Sequence, residues 1–418
     1  MIKDLIKRVV GQKNITFVKQ QLKYVKGIRY LHGHKRIEIR KPDLLWRRYG
    51  IAGKHVFFGY YDLRQIDASG ERMLVHVVDQ KADAAKDPAR IGYFHTETGD
   101  FVSVVQTAAW CWQQGARLRW HPVQEDWILY NDVSDGAYVT RIYDLAAGEE
   151  RGSFCAALYD IDRSASFGLS LNFSRLQRLR PGYGYSLLRD DTQGDPAPED
   201  DGIFYVDLQS GLKTLLVSLA ELAAQVDDPQ ADEHYINHIS IAPDGNRFLF
   251  FHIRTLKGDT HWRTRLCVYD MRTDTYTILE EEDRISHYAW MGNEQILATC
   301  WGPLKEQYYC IYDVQTGAKR RIEDERLMQD GHPVFLRADG WFLADTYPLA
   351  NEMQTLFAYD LQTGTCQELV HLYSDPRLYD ETRCDLHPRV SPDERYITVD
   401  STCEHGCRQV ILIRAEQI

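Results

Sequence analysis

The sequence contains no apolar run near the ~18 residues that a membrane-spanning helix needs. Its opening, "MIKDLIKRVVGQKN", places charges where a secretion signal needs an apolar stretch, so the expected location is the cytoplasm. Low-complexity tracts are also missing. Hydrophobic residues make up 44%, charged residues 26% and aromatics 12%, the composition of a folded soluble protein. No Gly-rich phosphate loop, nucleophile elbow or zincin helix motif occurs, which removes the usual signals of nucleotide-dependent, serine-hydrolase and HExxH chemistry. "GYGYS" at 182–186 is not followed by a helical pattern. The nine cysteines are odd in number and scattered through strand-like segments, unlike a secreted disulfide framework, and read as small buried apolar residues. In "CEHGC" strand alternation would splay Cys403, His405 and Cys407, and no second cluster completes a metal site there.

Charge is present but uneven. The net charge of -12 conceals a basic head, residues 1–50, with 14 Lys/Arg against 3 Asp/Glu, and a body with 35 against 58. An acidic body argues against nucleic acid as the main ligand. The head offers a peripheral contact for an anionic membrane: Leu5, Ile6, Val9 and Val10 share a helical face opposite Lys3, Lys7, Arg8 and Lys13. Such a face also packs against its own domain.

One phrase recurs: "YDLAAG" at 143, "YVDLQSG" at 205, "YDMRTD" at 269, "YDVQTG" at 312 and "YDLQTG" at 359, with "YFHTETG" at 93 as a degenerate copy. Each reads as a strand end followed by a tight hairpin. A second phrase, of the kind "APDGNRFLFF" or "SPDERYITVDS", precedes each by some 25 to 30 residues and feeds an alternating strand. Two hairpins per repeat make a four-stranded unit of propeller-blade size. The expected architecture is all-β: a seven-bladed β-propeller over residues 51–418 behind a basic, partly helical N-terminal extension, residues 1–50. The last blade runs out after three strands, and a strand around "HVFFGYYD" is expected to complete it. Residues 187–202 read as a polar loop inside the third blade, and 211–226 as one short helix or a strand plus helix.

Aligned on the "PDG"-type turn, His238, His287, His332 and His387 fall at one position in four consecutive blades, near the start of the innermost strand. Innermost strands converge on the axis, so the four imidazoles should share a cavity. A single histidine there reads as a strand cap or a satisfied neighbour. Four in register, out of 15 in the chain, point to a site. Imidazole serves as a metal ligand and as a proton carrier near neutral pH, and the pattern alone permits both. Gln329, Asn237, Asp330, Asp385 and Arg383 stand close by in sequence, a mixed N and O donor set that suits an ion such as Mn²⁺.

"APDGNRFLFF" and "SPDERYITV" resemble the WD40-like repeats of Tol-associated propellers. The in-register histidines resemble those of the oligogalacturonate lyases, intracellular seven-bladed enzymes in which three histidines and a glutamine hold Mn²⁺. That family's Gln-x-x-His-x-His pattern is matched as Gln329-x-x-His332, with Val334 in the last ligand position. "FFGYYD" (57–62), "DTYP" (345–348) and "RCDLHPR" (383–389) resemble propellers encoded among bacterial surface-polysaccharide genes. The resemblance implies β-elimination on a uronate-containing oligosaccharide or polysaccharide. It assigns His287, Gln329, His332 and His387 to the metal, His238 or Arg383 to the base, and Tyr60 to protonation of the leaving oxygen. Asp62, Asn237, Asp330 and Asp385 are the expected substrate contacts. Tyr60 and Tyr61 also read as channel-wall aromatics. The alternative is a non-catalytic propeller that binds a sugar or a protein in surface-polysaccharide assembly, at the inner-membrane surface. Clustering of the four histidines favours the enzyme.

Overall fold

The structure is a computed structural model that describes residues 12–258, 262–336, 340–404 and 406–418. The predicted Leu5, Ile6, Val9 and Val10 face and His405 lie outside the described residues. Seven antiparallel sheets follow one another along the chain and form a seven-bladed propeller. They are numbered here as blades 1 to 7, starting from Lys54.

The recurring phrase is a turn built by one aspartate and one glycine. In "YDVQTG" the Asp313 carboxylate accepts the backbone N–H groups of Gln315 (3.1 Å) and Thr316 (2.8 Å), and the Gly317 N–H returns to the Asp313 carbonyl at 2.9 Å. Gly317 sits at φ +72°, where a Cβ is disfavoured. Asp360 and Gly364 repeat the device. The second strand of each blade is sandwiched between neighbouring blades, which explains its nearly continuous apolar run. Phe248, Leu249, Phe250 and Phe251, for instance, are all buried.

Blade 3 carries its long loop between strands Phe167–Ser170 and Gly202–Asp207. The loop opens with a helix, Phe173–Leu179, whose first turn is capped by the Asn172 side chain accepting the Arg175 N–H at 2.9 Å. Of the two readings of 211–226, the structure has the strand plus helix, Lys213–Ser218 and Leu219–Ala224, joined by a capping box between Ser218 and Glu221.

Closure differs from expectation. Blade 7 supplies three strands, Arg389–Val390, Tyr396–Ser401 and Gln409–Arg414, and its outermost fourth is Trp46–Tyr49. The segment expected to close the ring instead gives Lys54–Phe57, the innermost strand of blade 1. Ile37–Ile39 adds a fifth, outer strand to blade 6 against Cys366–Tyr373. The basic segment before Lys54 is thus partly strand. Ahead of it runs helix α1, Gln12–Leu31, lying on blade 6. A Cβ at its Gly27 would come within 2.8 Å of the Tyr373 hydroxyl, and Arg377 stacks over Tyr24 at 4.4 Å.

Candidate functional site

The register predicted for the histidines is set by the first hairpin of each blade. In blades 2, 4, 6 and 7 the N–H that opens the turn belongs to His121, Ala242, Leu336 and Ser391. Four residues earlier stand Arg117, His238, His332 and His387. In blade 5 Met291 pairs with Gln295 at the turn, and the same count gives His287. Arg117 is therefore a fifth member of the set, one that a pattern of histidines does not mark. Arg117, His238 and His387 have φ of 50°, 52° and 47°. Non-glycine residues held left-handed cost about 1–3 kcal/mol each, and such strain gathers at functional sites.

All four histidines surround one phenol. The Tyr60 ring centroid lies 5.0 Å from His238, 6.4 Å from His287, 6.0 Å from His332 and 4.8 Å from His387. His287 and His332 are 4.0 Å apart, His332 and His387 4.3 Å, and His238 and His287 6.2 Å. The Tyr60 hydroxyl is 3.3 Å from His238 Nε2. Tyr61 packs beside Tyr60, donating to the Tyr288 carbonyl (2.9 Å) and accepting its N–H (3.0 Å).

Three of the rings are held from behind through Nδ1. His287 Nδ1 faces Asp330 at 3.2 Å, His332 Nδ1 faces both oxygens of Asp345 at 2.9 and 3.0 Å, and His387 Nδ1 donates to the Gly59 carbonyl at 2.8 Å. This arrangement fixes ring orientation and leaves Nε2 as the free nitrogen, as behind metal-ligating histidines. His387 Nε2 is buried without a hydrogen-bond partner, 4.0 Å from Asp385 Oδ2. Ligand atoms of His332, Asp385 and His387 all lie within 4.8 Å of one another. Two imidazoles and a carboxylate suit a divalent ion of the Mn²⁺ kind, so these residues fit such a group. Gln329 is exposed and lines the cavity beside Asp330.

Asp345, which the "DTYP" phrase contained without a role, is fully buried. It also accepts the backbone N–H groups of His332 (2.7 Å) and His387 (3.1 Å), tying blades 6 and 7 together. It sets the protonation pattern as well. Burial disfavours a charge on His332, but the carboxylates of Asp345, Asp385 and Asp330 together outweigh it and raise the pKa. His238, His287 and His387 are lowered, by burial first and by neighbouring imidazoles next. Burial raises the Tyr60 hydroxyl far above its usual range, so it stays protonated.

The other predicted residues divide by place. Asn237 is buried, and its Oδ1 accepts the His238 N–H at 2.9 Å, supporting the left-handed turn there. Asp330 holds His287 together with the Ser286 hydroxyl (2.7 Å) and Trp301 Nε1 (2.8 Å). Asp385 pairs with Arg383, accepting from Nε at 2.9 Å and a terminal nitrogen at 2.7 Å. Asp62 is not gathered with the histidines. It takes Arg117 in a two-point pair of 3.1 and 2.8 Å and lines a separate cavity with Tyr61 and Arg163.

Beside the histidines opens a cavity of about 500 Å³, which His238, His287, Asp330, Gln329 and Arg383 help to line. Arg180, Arg284, Trp262 and Trp301 complete its wall, none of them marked by any repeat. Aromatic faces with a few convergent charges are the usual furniture of a small-ligand site.

No family model matches the chain, and no curated protein matches it by sequence. Solved structures do. An oligogalacturonate lyase in complex with manganese superposes with a TM-score of 0.63 at 14% identity, over 89% of this chain and 96% of that one. An oligogalacturonate lyase from Vibrio parahaemolyticus gives 0.62 at 11% identity, over 91% and 98%. The tricorn protease gives 0.50 at 12% identity, over 84% of this chain and 33% of that one. At these identities the likeness is one of fold: the chain is an all-β, seven-bladed propeller similar in architecture to the oligogalacturonate lyases.

Proposed function

We propose that the chain is a metal-assisted lyase that cleaves uronate-containing oligosaccharides by β-elimination at the mouth of the propeller. The observation that carries this reading is the convergence of four histidines on Tyr60, three of them anchored through Nδ1, next to an arginine-lined cavity. His332, Asp385 and His387 would hold a divalent ion, Mn²⁺ by donor type, with His287 and Gln329 nearby. When bound, such an ion neutralises the uronate carboxylate and so acidifies the C5 proton. His238, kept neutral by burial, accepts that proton; the electron pair forms the C4–C5 double bond as the C4–O bond breaks, and the Tyr60 hydroxyl protonates the departing oxygen. Asp345 and Asn237 position rather than react.

The test is elemental analysis of the purified protein and of His332→Ala after Mn²⁺ loading, alongside ultraviolet absorbance of the unsaturated product from uronate oligosaccharides. Stoichiometric metal lost in the variant, with product made only by the parent chain, is the expected result. Absence of product from metal-loaded parent chain across galacturonate, mannuronate and glucuronate oligomers sinks the lyase.

One observation favours a second reading, a propeller that binds a sugar or a partner in surface-polysaccharide assembly at a membrane. On α1 Phe17, Val18, Leu22 and Val25 are exposed, and Lys19, Lys26 and Arg29 are exposed on the same helix. No helix among the described residues is long and apolar enough to cross a membrane. An apolar stripe with a basic border suits the surface of an anionic bilayer, which would repel the acidic body. Cosedimentation with phosphatidylglycerol vesicles but not phosphatidylcholine vesicles, abolished by Leu22→Glu, is the expected outcome; equal recovery with both removes this reading.

A further inference from the structure

Two arginines break the repeat at the turn end of the inner strands, away from the histidines. The first hairpin opens with the N–H of Asp67 in blade 1 and of Asp162 in blade 3. Three places before the opening residue the other blades carry Leu118, Tyr159, Ile239, Tyr288, Pro333 and Pro388, but blade 1 carries Arg64. One place after it stand Pro122, Pro243 and Pro392 in blades 2, 4 and 7, but Arg163 in blade 3. Arg337, outside the described residues, holds the same place in the sequence of blade 6. Neither Arg64 nor Arg163 makes a hydrogen bond or ion pair among the described residues, so the fold does not use their charge.

Both line the cavity of about 420 Å³ that also holds Tyr61 and Asp62. Its wall comes from the turn ends of several blades, with Ser240, Trp290, Phe335 and Ser391 among its residues. Tyr61 and Tyr60, in ring contact at 4.8 Å, stand between this cavity and the histidines. The other charges here are mostly met. Asp62 takes Arg117, and Arg389 donates to Asp400 at 2.9 Å. Asp162 accepts the N–H groups of Ser164, Ser166 and Phe167 in its own turn, and Asp393 holds Arg395 and the Ser391 hydroxyl. Glu394 is the one remaining carboxylate of the lining, and no ion pair joins it to either arginine among the described residues. Desolvation first and Arg163 next lower the Arg64 pKa, with no carboxylate opposing them. Two guanidinium groups thus face one carboxylate, and both side chains are exposed enough to meet a ligand.

Neighbouring guanidinium groups repel each other, and a dianion relieves that cost more fully than a monoanion. Their N–H forks match phosphate oxygens in two-point geometry. The rings of Trp290 and Phe335 add apolar faces, and the volume exceeds what a bare anion fills. We propose that Arg64 and Arg163 form a second ligand site, at the far mouth of the channel, for an organic phosphate: its phosphoryl oxygens meet the two arginines and its organic part lies against Trp290 and Phe335. This site goes beyond the lyase reading and does not depend on it.

The experiment measures calorimetric binding and melting temperature with inorganic phosphate, glucose-1-phosphate and uridine monophosphate, beside glucose and uridine. The parent chain, Arg64→Gln, Arg163→Gln and the double variant are compared. At least one of the two organic phosphates should bind more tightly than inorganic phosphate and raise the melting temperature, with no binding of glucose or uridine and with affinity weakened by added salt. Each substitution should lose about tenfold in affinity and the double variant about a hundredfold. Without ligand neither substitution should lower the melting temperature, so lost binding is not lost folding. Arg180→Gln, in the cavity beside the histidines, should leave the affinity unchanged. No phosphate bound by the parent chain, unchanged affinity in the double variant, or binding lost in Arg180→Gln overturns the proposal. Inorganic phosphate bound as tightly as both organic phosphates overturns the assignment to an organic ligand.

Discussion

At the scale of the residue, the site is organised by groups that do not face the cavity. Asp345 receives two backbone N–H groups and one imidazole while buried between blades 6 and 7. Asp345→Asn keeps the shape but removes the charge and places an amide N–H₂ against donors. The expected cost is about 2–4 kcal/mol, read as a lower urea midpoint with an unchanged slope. Tyr60→Phe has the opposite profile. Its ring keeps the contacts with all four histidines, so stability should hold within about 1 kcal/mol, whereas loss of the proton donor should lower kcat roughly 10²- to 10⁴-fold. Product absorbance against substrate concentration checks it, and a fall in stability with unchanged kcat would return Tyr60 to channel packing. The histidines were legible in the sequence because the turn that registers them is a local phrase. Asp345 and the Gly59 carbonyl were not assignable, since their partners are chosen by how one blade meets the next.

At the scale of the element, the repeated hairpins were readable because aspartate and glycine do their work within five residues. Gly364→Ala, placing a Cβ at φ +71°, should cost about 1 kcal/mol without touching the site, a difference visible in denaturant melts. The closing strand was hidden for the reverse reason. In Trp46–Tyr49 only the last residue is buried, so "WRRY" lacks the apolar alternation of an inner strand, and its partner, Gln409–Arg414, is far away in sequence. Arg180, Trp262 and Arg284 share no phrase and come from three blades, which is why the repeat reading passed over them. Removing the segment before Lys54 leaves Gln409–Arg414 as a naked edge. The expected outcome is a chain that aggregates on size exclusion, since open apolar edges recruit other strands.

At the scale of the whole molecule, buried neutral histidines set the response to acid. Burial lowers His55, His76 and His234 each to about 4, from an unfolded value near 6.5. Between those values the unfolded chain binds protons that the folded chain refuses, so stability rises with pH across this window and falls as pH drops through it. His332 runs the other way: its raised pKa contributes stability below about 6.5 that is lost as pH climbs through the folded value, but it is one group against these three and the lowered His238, His287 and His387. The melting temperature at pH 5 should therefore lie below that at pH 7.5, and a flat profile would contradict the buried, uncharged state of these rings.

The pairing of Trp46–Tyr49 with Gln409–Arg414 also sets a clock on biosynthesis. The first partner is translated well before the second. At typical elongation rates, roughly 20 to 70 s separate them. Throughout that interval the early strand waits without its mate while blade after blade assembles beside it. In that interval the charges of Arg47 and Arg48 disfavour pairing of the early strand elsewhere, and the ring closes only when Gln409–Arg414 has emerged.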